Sequence, residues 1–111
     1  MIDLFQRLIT TTLLLTISCN VFAKTPVIKV FIKNHVFVPA EITIAAGEKI
    51  KLLVINQDPT PEEFESYELN REKVIAGNSK AIIFIGPLKP GVYPFFGEFN
   101  PKSAQGLINV K

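Results

Sequence analysis

Carboxylates are the residues of this sequence best suited to chemistry. Asp58, Glu62, Glu63, Glu65, Glu68 and Glu72 fall in one short window, six of the ten acids in the chain, with Arg71 the one basic residue among them. If Glu63 to Glu65 is extended, side chains alternate, so these two carboxylates face one side and Glu62 the other. Hard oxygen donors set out in this way suit divalent or trivalent cations, and the competing reading is a solvated acidic loop. A second segment, Phe95-Phe96-Gly97-Glu98-Phe99, sets one more carboxylate among three aromatic residues. A carboxylate in apolar surroundings must be paired, protonated or metal-bound, and Lys102 is a nearby candidate partner for Glu98. His35 is the only histidine, and it shares a strand face with Phe37 if that segment is extended.

Other chemistries are poorly supplied. The single cysteine, Cys19, lies in the apolar N-terminal stretch, and Ser66 and Ser103 are ordinary loop serines without a nucleophile-elbow setting. No glycine-rich loop suits phosphates, and no basic-aromatic stripe suits single-stranded nucleic acid. With 12 Lys and Arg against 10 Asp and Glu, the net charge of +2 gives no field for nucleic acid, which is not expected as a partner.

The elements that must position these carboxylates are short strands. The chain has 111 residues and 48% hydrophobic content, enough for one domain. Residues 1–23 read as an export signal: Arg7 in the polar start, Leu8–Ile17 as the apolar run, and Val21-Phe22-Ala23 as the cleavage tripeptide. The apolar run is too short to span a hydrocarbon core of about 30 Å, so cleavage after Ala23 and an exported domain over 24–111 are expected. That domain would hold no sulfur.

Within it, Ile28, Val30 and Ile32 share one strand face with Lys29 and Lys33 opposite, and Ile42 and Ile44 repeat the pattern. Lys49–Asn56 continues it after a turn at Ala46-Gly47-Glu48. Further strands are expected near 73–76, 80–85, 92–96 and 106–110, separated by turns at Asp58-Pro59, Gly77-Asn78, Gly86-Pro87 and Pro90-Gly91. Only Pro61–Arg71 could hold a helical turn. Seven or eight short strands predict an all-β sandwich or barrel. Leu88-Lys89-Pro90-Gly91-Val92-Tyr93 has the pattern of a tyrosine corner, giving Tyr93 a structural role.

Four ordered segments carry a family resemblance: Phe37–Gly47, Val54-Ile55-Asn56-Gln57-Asp58, Leu88–Tyr93 and Gly106–Val110. Together they resemble the cupredoxin fold, which implies a cupredoxin-like Greek-key β-sandwich with any metal site at one end, between two loops. Blue-copper members take one His after the Asn-x-Asp segment and Cys, His and usually Met from the loop before the last strand. Here the first position falls within Pro61–Ser66, and Gly97 and Asn100 stand roughly at the Cys and His places. Without a thiolate there is no blue-copper centre.

Glu62-Glu63-Phe64-Glu65-Ser66, Arg71–Ile75, Phe95–Phe99 and the His35/Phe37/Pro39 pattern are similar to the EfeO-type cupredoxin-like domains, small exported proteins of bacterial ferrous-iron transport. That resemblance implies a site of carboxylates and histidine, with His35, Glu63, Glu65 and Glu98 as metal ligands and copper or iron as the ion. It also implies an accessory protein that binds or oxidises ferrous iron for an inner-membrane iron permease, beside other periplasmic iron-uptake proteins. The alternative is a metal-free interaction module that docks a membrane partner through Phe37, Phe95, Phe96 and Phe99.

Overall fold

The computed structural model describes residues 24–111, so the expected leader and its cleavage site lie outside the described residues. Nine strands follow in order: β1 (Val27–Lys33), β2 (Val36–Val38), β3 (Glu41–Ile44), β4 (Ile50–Asn56), β5 (Glu62–Ser66), β6 (Arg71–Ile75), β7 (Lys80–Ile85), β8 (Gly91–Gly97) and β9 (Gln105–Val110). They form a four-stranded sheet, β2-β1-β4-β7, and a five-stranded sheet, β3-β9-β8-β5-β6. The parallel pairs β1–β4 and β3–β9 arise because the chain repeatedly crosses from one sheet to the other. This is the expected all-β sandwich, and the two sheets close on each other through their alternating apolar residues.

Period-two alternation decides which side chains enter the core. Val30 and Ile32 of β1, Ile50, Leu52 and Val54 of β4, and Ile83 and Ile85 of β7 are buried between the sheets. From the other sheet come Phe64, Phe95 and Ile108, with Phe37 of β2 completing an aromatic centre. The Phe37 and Phe95 rings meet edge-on at 5.0 Å, and Phe64 stacks on Phe95 at 4.9 Å. Truncating one such ring to Ala would cost about 3–5 kcal/mol. Phe37 and Phe95 are 1% exposed and belong to the core, so of the four rings considered for docking a partner only Phe96, half-buried, and Phe99, 50% exposed, reach the surface.

Two local expectations meet the structure differently. The Tyr93 hydroxyl donates to the Lys89 carbonyl at 2.8 Å, which is the tyrosine corner. The helical turn considered for Pro61–Arg71 is replaced by strand β5 and the Tyr67–Asn70 turn into β6. Phe64 explains the outcome, because extended geometry sends it, Glu62 and Ser66 inward while Glu63 and Glu65 go outward. A helix would have spread the same residues around its axis.

Candidate metal centre on the outer face of the five-stranded sheet

The outward side of β5 carries Glu63 and Glu65, at the middle of a three-strand group. On one side β6 pairs antiparallel with β5, setting Glu72 directly across from Glu65. On the other side β8 pairs with β5, and the Glu98 amide, just past the end of β8, donates to the Glu63 carbonyl at 2.9 Å. Glu63, Glu65, Glu72 and Glu98 each offer a carboxylate oxygen, and these oxygens all lie within 4.8 Å of one another. The structure therefore brings together Glu63, Glu65 and Glu98 and adds Glu72.

No positive charge offsets this group. Arg71, beside Glu72 in sequence, donates instead to the carbonyls of Leu69, Asn70 and Phe84. Among the described residues the one ion pair is His35 with Asp58, so Glu98 does not pair with Lys102. The carboxyls answer by holding protons. A hydrogen bond with Glu72 pushes Glu63 up to about 7 from 4.5, helped by loss of solvent and by the charges of Glu98, Glu72 and Glu65. A hydrogen bond with Glu98 likewise pushes Glu65 up to about 7, with loss of solvent and the charges of Glu98 and Glu72 adding to it. One oxygen of Glu65, Oε2, is buried without any hydrogen-bond partner. Carboxyl oxygens converging without a basic partner, one of them orphaned, form a hard donor set that a multivalent cation would satisfy by displacing the protons.

His35 is not in this group. Asn34 and His35 are the two central residues of the β1–β2 hairpin turn, with φ of 53° and 60°, so His35 does not share a strand face with Phe37. A turn with both central residues at positive φ matches the twist of the strands it joins, and Asn and His tolerate that conformation better than most residues. Asp58 fastens the turn, accepting from the Asn34 amide at 2.8 Å and the His35 amide at 2.9 Å. The His35 amide is the main reason the Asp58 carboxyl lies below its ordinary value. The imidazole Nδ1 sits 3.6 Å from Asp58 Oδ2, and the Ser103 hydroxyl donates to the His35 carbonyl. Asp58, part of the acidic window in sequence, is thus spent on a turn.

Glu62 faces inward, as the alternation predicts, and performs a different task. Its Oε1 accepts from the amides of Glu63 at 3.0 Å and Phe99 at 2.9 Å, and its Oε2 from Asn100 Nδ2 at 2.7 Å. A side chain at Gly97 would place Cβ 2.6 Å from Glu62 Cδ and 2.7 Å from Ala104 Cβ. The positions that resemble the copper-binding places of cupredoxins are therefore filled by a glutamate–asparagine hydrogen bond and a glycine with no room for a thiolate. The residues present do not fit a blue-copper ion.

Glu72 is the member of the cluster that the sequence reading left out as a ligand. The signal was the stretch between the two strands: Asn70, at φ 52°, ends a four-residue turn whose register puts Glu72 opposite Glu65.

Fold and sequence agree on the class of protein. The model of the cupredoxin-like domain family matches residues 6–110, and the chain belongs to that family. It is 45% identical over 83 residues to a protein of Rickettsia prowazekii (strain Madrid E) described as uncharacterized, covering 75% of this chain and 66% of that protein's length. Among solved structures it resembles auracyanin A, a "blue" copper protein of Chloroflexus aurantiacus, with a TM-score of 0.69 and 12% identity over 79% of this chain and all of that one. It also resembles amicyanin of Paracoccus versutus, with a TM-score of 0.60 and 20% identity over 83% and 86% of the two chains. At these identities the likeness is one of fold.

Proposed function

We propose that this chain is a metal-binding protein whose ligands are Glu63, Glu65, Glu72 and Glu98, that its ion is iron, and that it serves iron uptake. The observation that carries the reading is the convergence of four carboxylate oxygens within 4.8 Å with no cation beside them. Two of these carboxyls, Glu63 and Glu65, are pushed up to about 7, so protons occupy the place of a stronger cation near neutral pH. An all-oxygen, anionic set favours hard ions, and Fe³⁺ gains more from it than Fe²⁺ because of its charge. Iron held here would thus sit at a lowered potential. Copper is less well served, since the imidazole that suits it belongs to the β1–β2 turn.

The function is that of a carrier in the periplasm, holding the ion for transfer to an inner-membrane permease. The resemblance to exported cupredoxins of ferrous-iron transport supports this role. Calorimetric titration with Fe²⁺ under anaerobic conditions, and with Fe³⁺ and Cu²⁺ in parallel, tests the site. Glu98→Gln and Glu65→Gln should each weaken iron binding roughly tenfold or more, which is about 1.4 kcal/mol. Glu68→Gln, in the Tyr67–Asn70 turn, should leave it unchanged. Equal small losses in all three would reduce the cluster to an ion atmosphere. A strain lacking the chain that takes up iron at the normal rate would sink the uptake role and leave the binding site standing.

A further inference from the structure

The outer face of the four-stranded sheet carries the opposite charge. Strands β1, β2, β4 and β7 contain four lysines, Lys29, Lys33, Lys51 and Lys80, and no Asp or Glu. Strand register arranges the outward residues of β1, β4 and β7 in rows of three. Val27, Lys51 and Phe84 lie side by side, then Lys29, Leu53 and Ile82, then Phe31, Ile55 and Lys80. Every row holds one lysine and two apolar side chains. Val27, Ile82 and Phe84 are each at least half exposed. The ammonium groups of Lys49 and Lys51 lie 6.0 and 5.8 Å from the centre of the Phe84 ring. None of these lysines has a carboxylate partner, since the one ion pair among the described residues is His35 with Asp58.

We infer that this face docks on an anionic phospholipid surface. An exposed apolar patch of this kind marks an interaction site, and the lysines set within it favour an anionic partner. A protein partner fits less well, because protein interfaces are depleted in lysine and enriched in arginine, and the four strands of this sheet carry lysine and no arginine. Lysine suits a lipid surface, because its stem lies along apolar groups while its ammonium reaches the headgroup phosphates. The two sheets then act together. The basic face is drawn to the bilayer and the four-glutamate face is turned away from it, so the whole field of the protein sets one orientation. The inference concerns the sheet opposite the carboxylate cluster and stands whether or not that cluster binds metal.

Flotation with vesicles tests it, using phosphatidylcholine alone and phosphatidylcholine with phosphatidylglycerol in equal parts. All variants are expressed from the full sequence with the same N-terminus, so any contribution of residues 1–23 cancels between them. The unaltered chain should bind the anionic vesicles, bind the neutral ones far less, and release as ionic strength rises from ~0.05 to ~0.5 M. Replacing Lys29, Lys51 and Lys80 together by Gln should weaken partition about a hundredfold, at roughly fivefold per lysine. Phe84→Ser should weaken it with no change in charge, and Lys89→Gln/Lys102→Gln/Lys111→Gln should leave it nearly intact. Thermal melting confirms that each variant is folded. Equal loss in the two lysine triples, or no binding to anionic vesicles, overturns the inference. So does low-salt self-association in sedimentation that disappears in the Lys29/Lys51/Lys80 triple, since the face would then meet the acidic face of a second copy.

Discussion

Replacing Glu62 by Gln should destabilise the fold by about 3 kcal/mol, although the two side chains have nearly the same volume. The carboxylate takes three donors, the amides of Glu63 and Phe99 on one oxygen and Asn100 Nδ2 on the other. Glutamine keeps one carbonyl oxygen, which can serve the two amides without charge assistance, a loss of about 0.5–1 kcal/mol for each. Its amide group then faces the Asn100 amide, two donors in contact inside a site where Glu62 is 1% exposed. Losing that charge-assisted bond costs about 2 kcal/mol, and rotation of the Asn100 amide recovers only part of it. For a domain of this size the sum lowers the melting temperature by roughly 10–20 °C. Differential scanning calorimetry of Glu62→Gln, Asn100→Asp and the double variant reads the effect, because Asp at 100 restores an acceptor opposite the glutamine amide. The double variant should recover at least about 1 kcal/mol relative to the sum of the single ones. A melting shift below about 3 °C, or strict additivity, would show that the Glu62–Asn100 contact does not hold the loop.

Other consequences follow from the same geometry. Because Glu63 and Glu65 are pushed up to about 7, the folded chain binds about two more protons than the unfolded one between pH ~4.5 and ~7. Stability should therefore fall as pH rises through that window. Asp58, lowered by the turn amides, acts only below its ordinary value of 3.8 and does not mask this trend. Melts from pH 5 to 7.5 that stay flat or rise would contradict the shared-proton picture. Metal binding near pH 6 should release about one to two protons, seen as calorimetric heats that depend on the buffer's ionisation enthalpy, and buffer-independent heats would remove the carboxyls from the site. Cu²⁺ added to residues 24–111 should give only weak absorption, since no thiolate is present, and an intense blue band would refute an oxygen-donor site.

What the sequence made legible was whatever depends on period two. The inward turn of Glu62 against the outward turn of Glu63 and Glu65 follows from three adjacent residues and the burial of Phe64. The strands at Val27–Lys33 and Ile50–Asn56 follow from the same rule, and Tyr93 from a loop that closes on itself within a few residues. Contacts set by register or by distant chain were not legible. Glu72 joins the cluster only because the Tyr67–Asn70 turn fixes which residue of β6 faces Glu65. His35 leaves the strand face because two consecutive residues take positive φ, a choice secured by Asp58 more than twenty positions away. Phe37 and Phe95 enter the core through the closing of one sheet on the other, which no local pattern states.

Strand β5 joins the two halves of this arrangement. Inward, Glu62 clamps the loop that follows β8 by holding Phe99 and Asn100; outward, Glu63 and Glu65 face Glu98 at the start of that same loop. Anything that loosens the clamp also moves a member of the cluster, so Glu62 positions the site without entering it. The outward side carries the converse dependence. Strand β6 lies at the edge of its sheet and pairs only with β5, and it carries Glu72 against Glu65. As Glu65 loses its proton above about pH 7, repulsion across this pair works against the ladder that holds the edge strand. A bound cation removes that repulsion as protons do. Occupancy of the cluster should therefore slow amide exchange in β6 more than in the β1–β4 pair, which lies in the opposite sheet and shares no residue with the cluster.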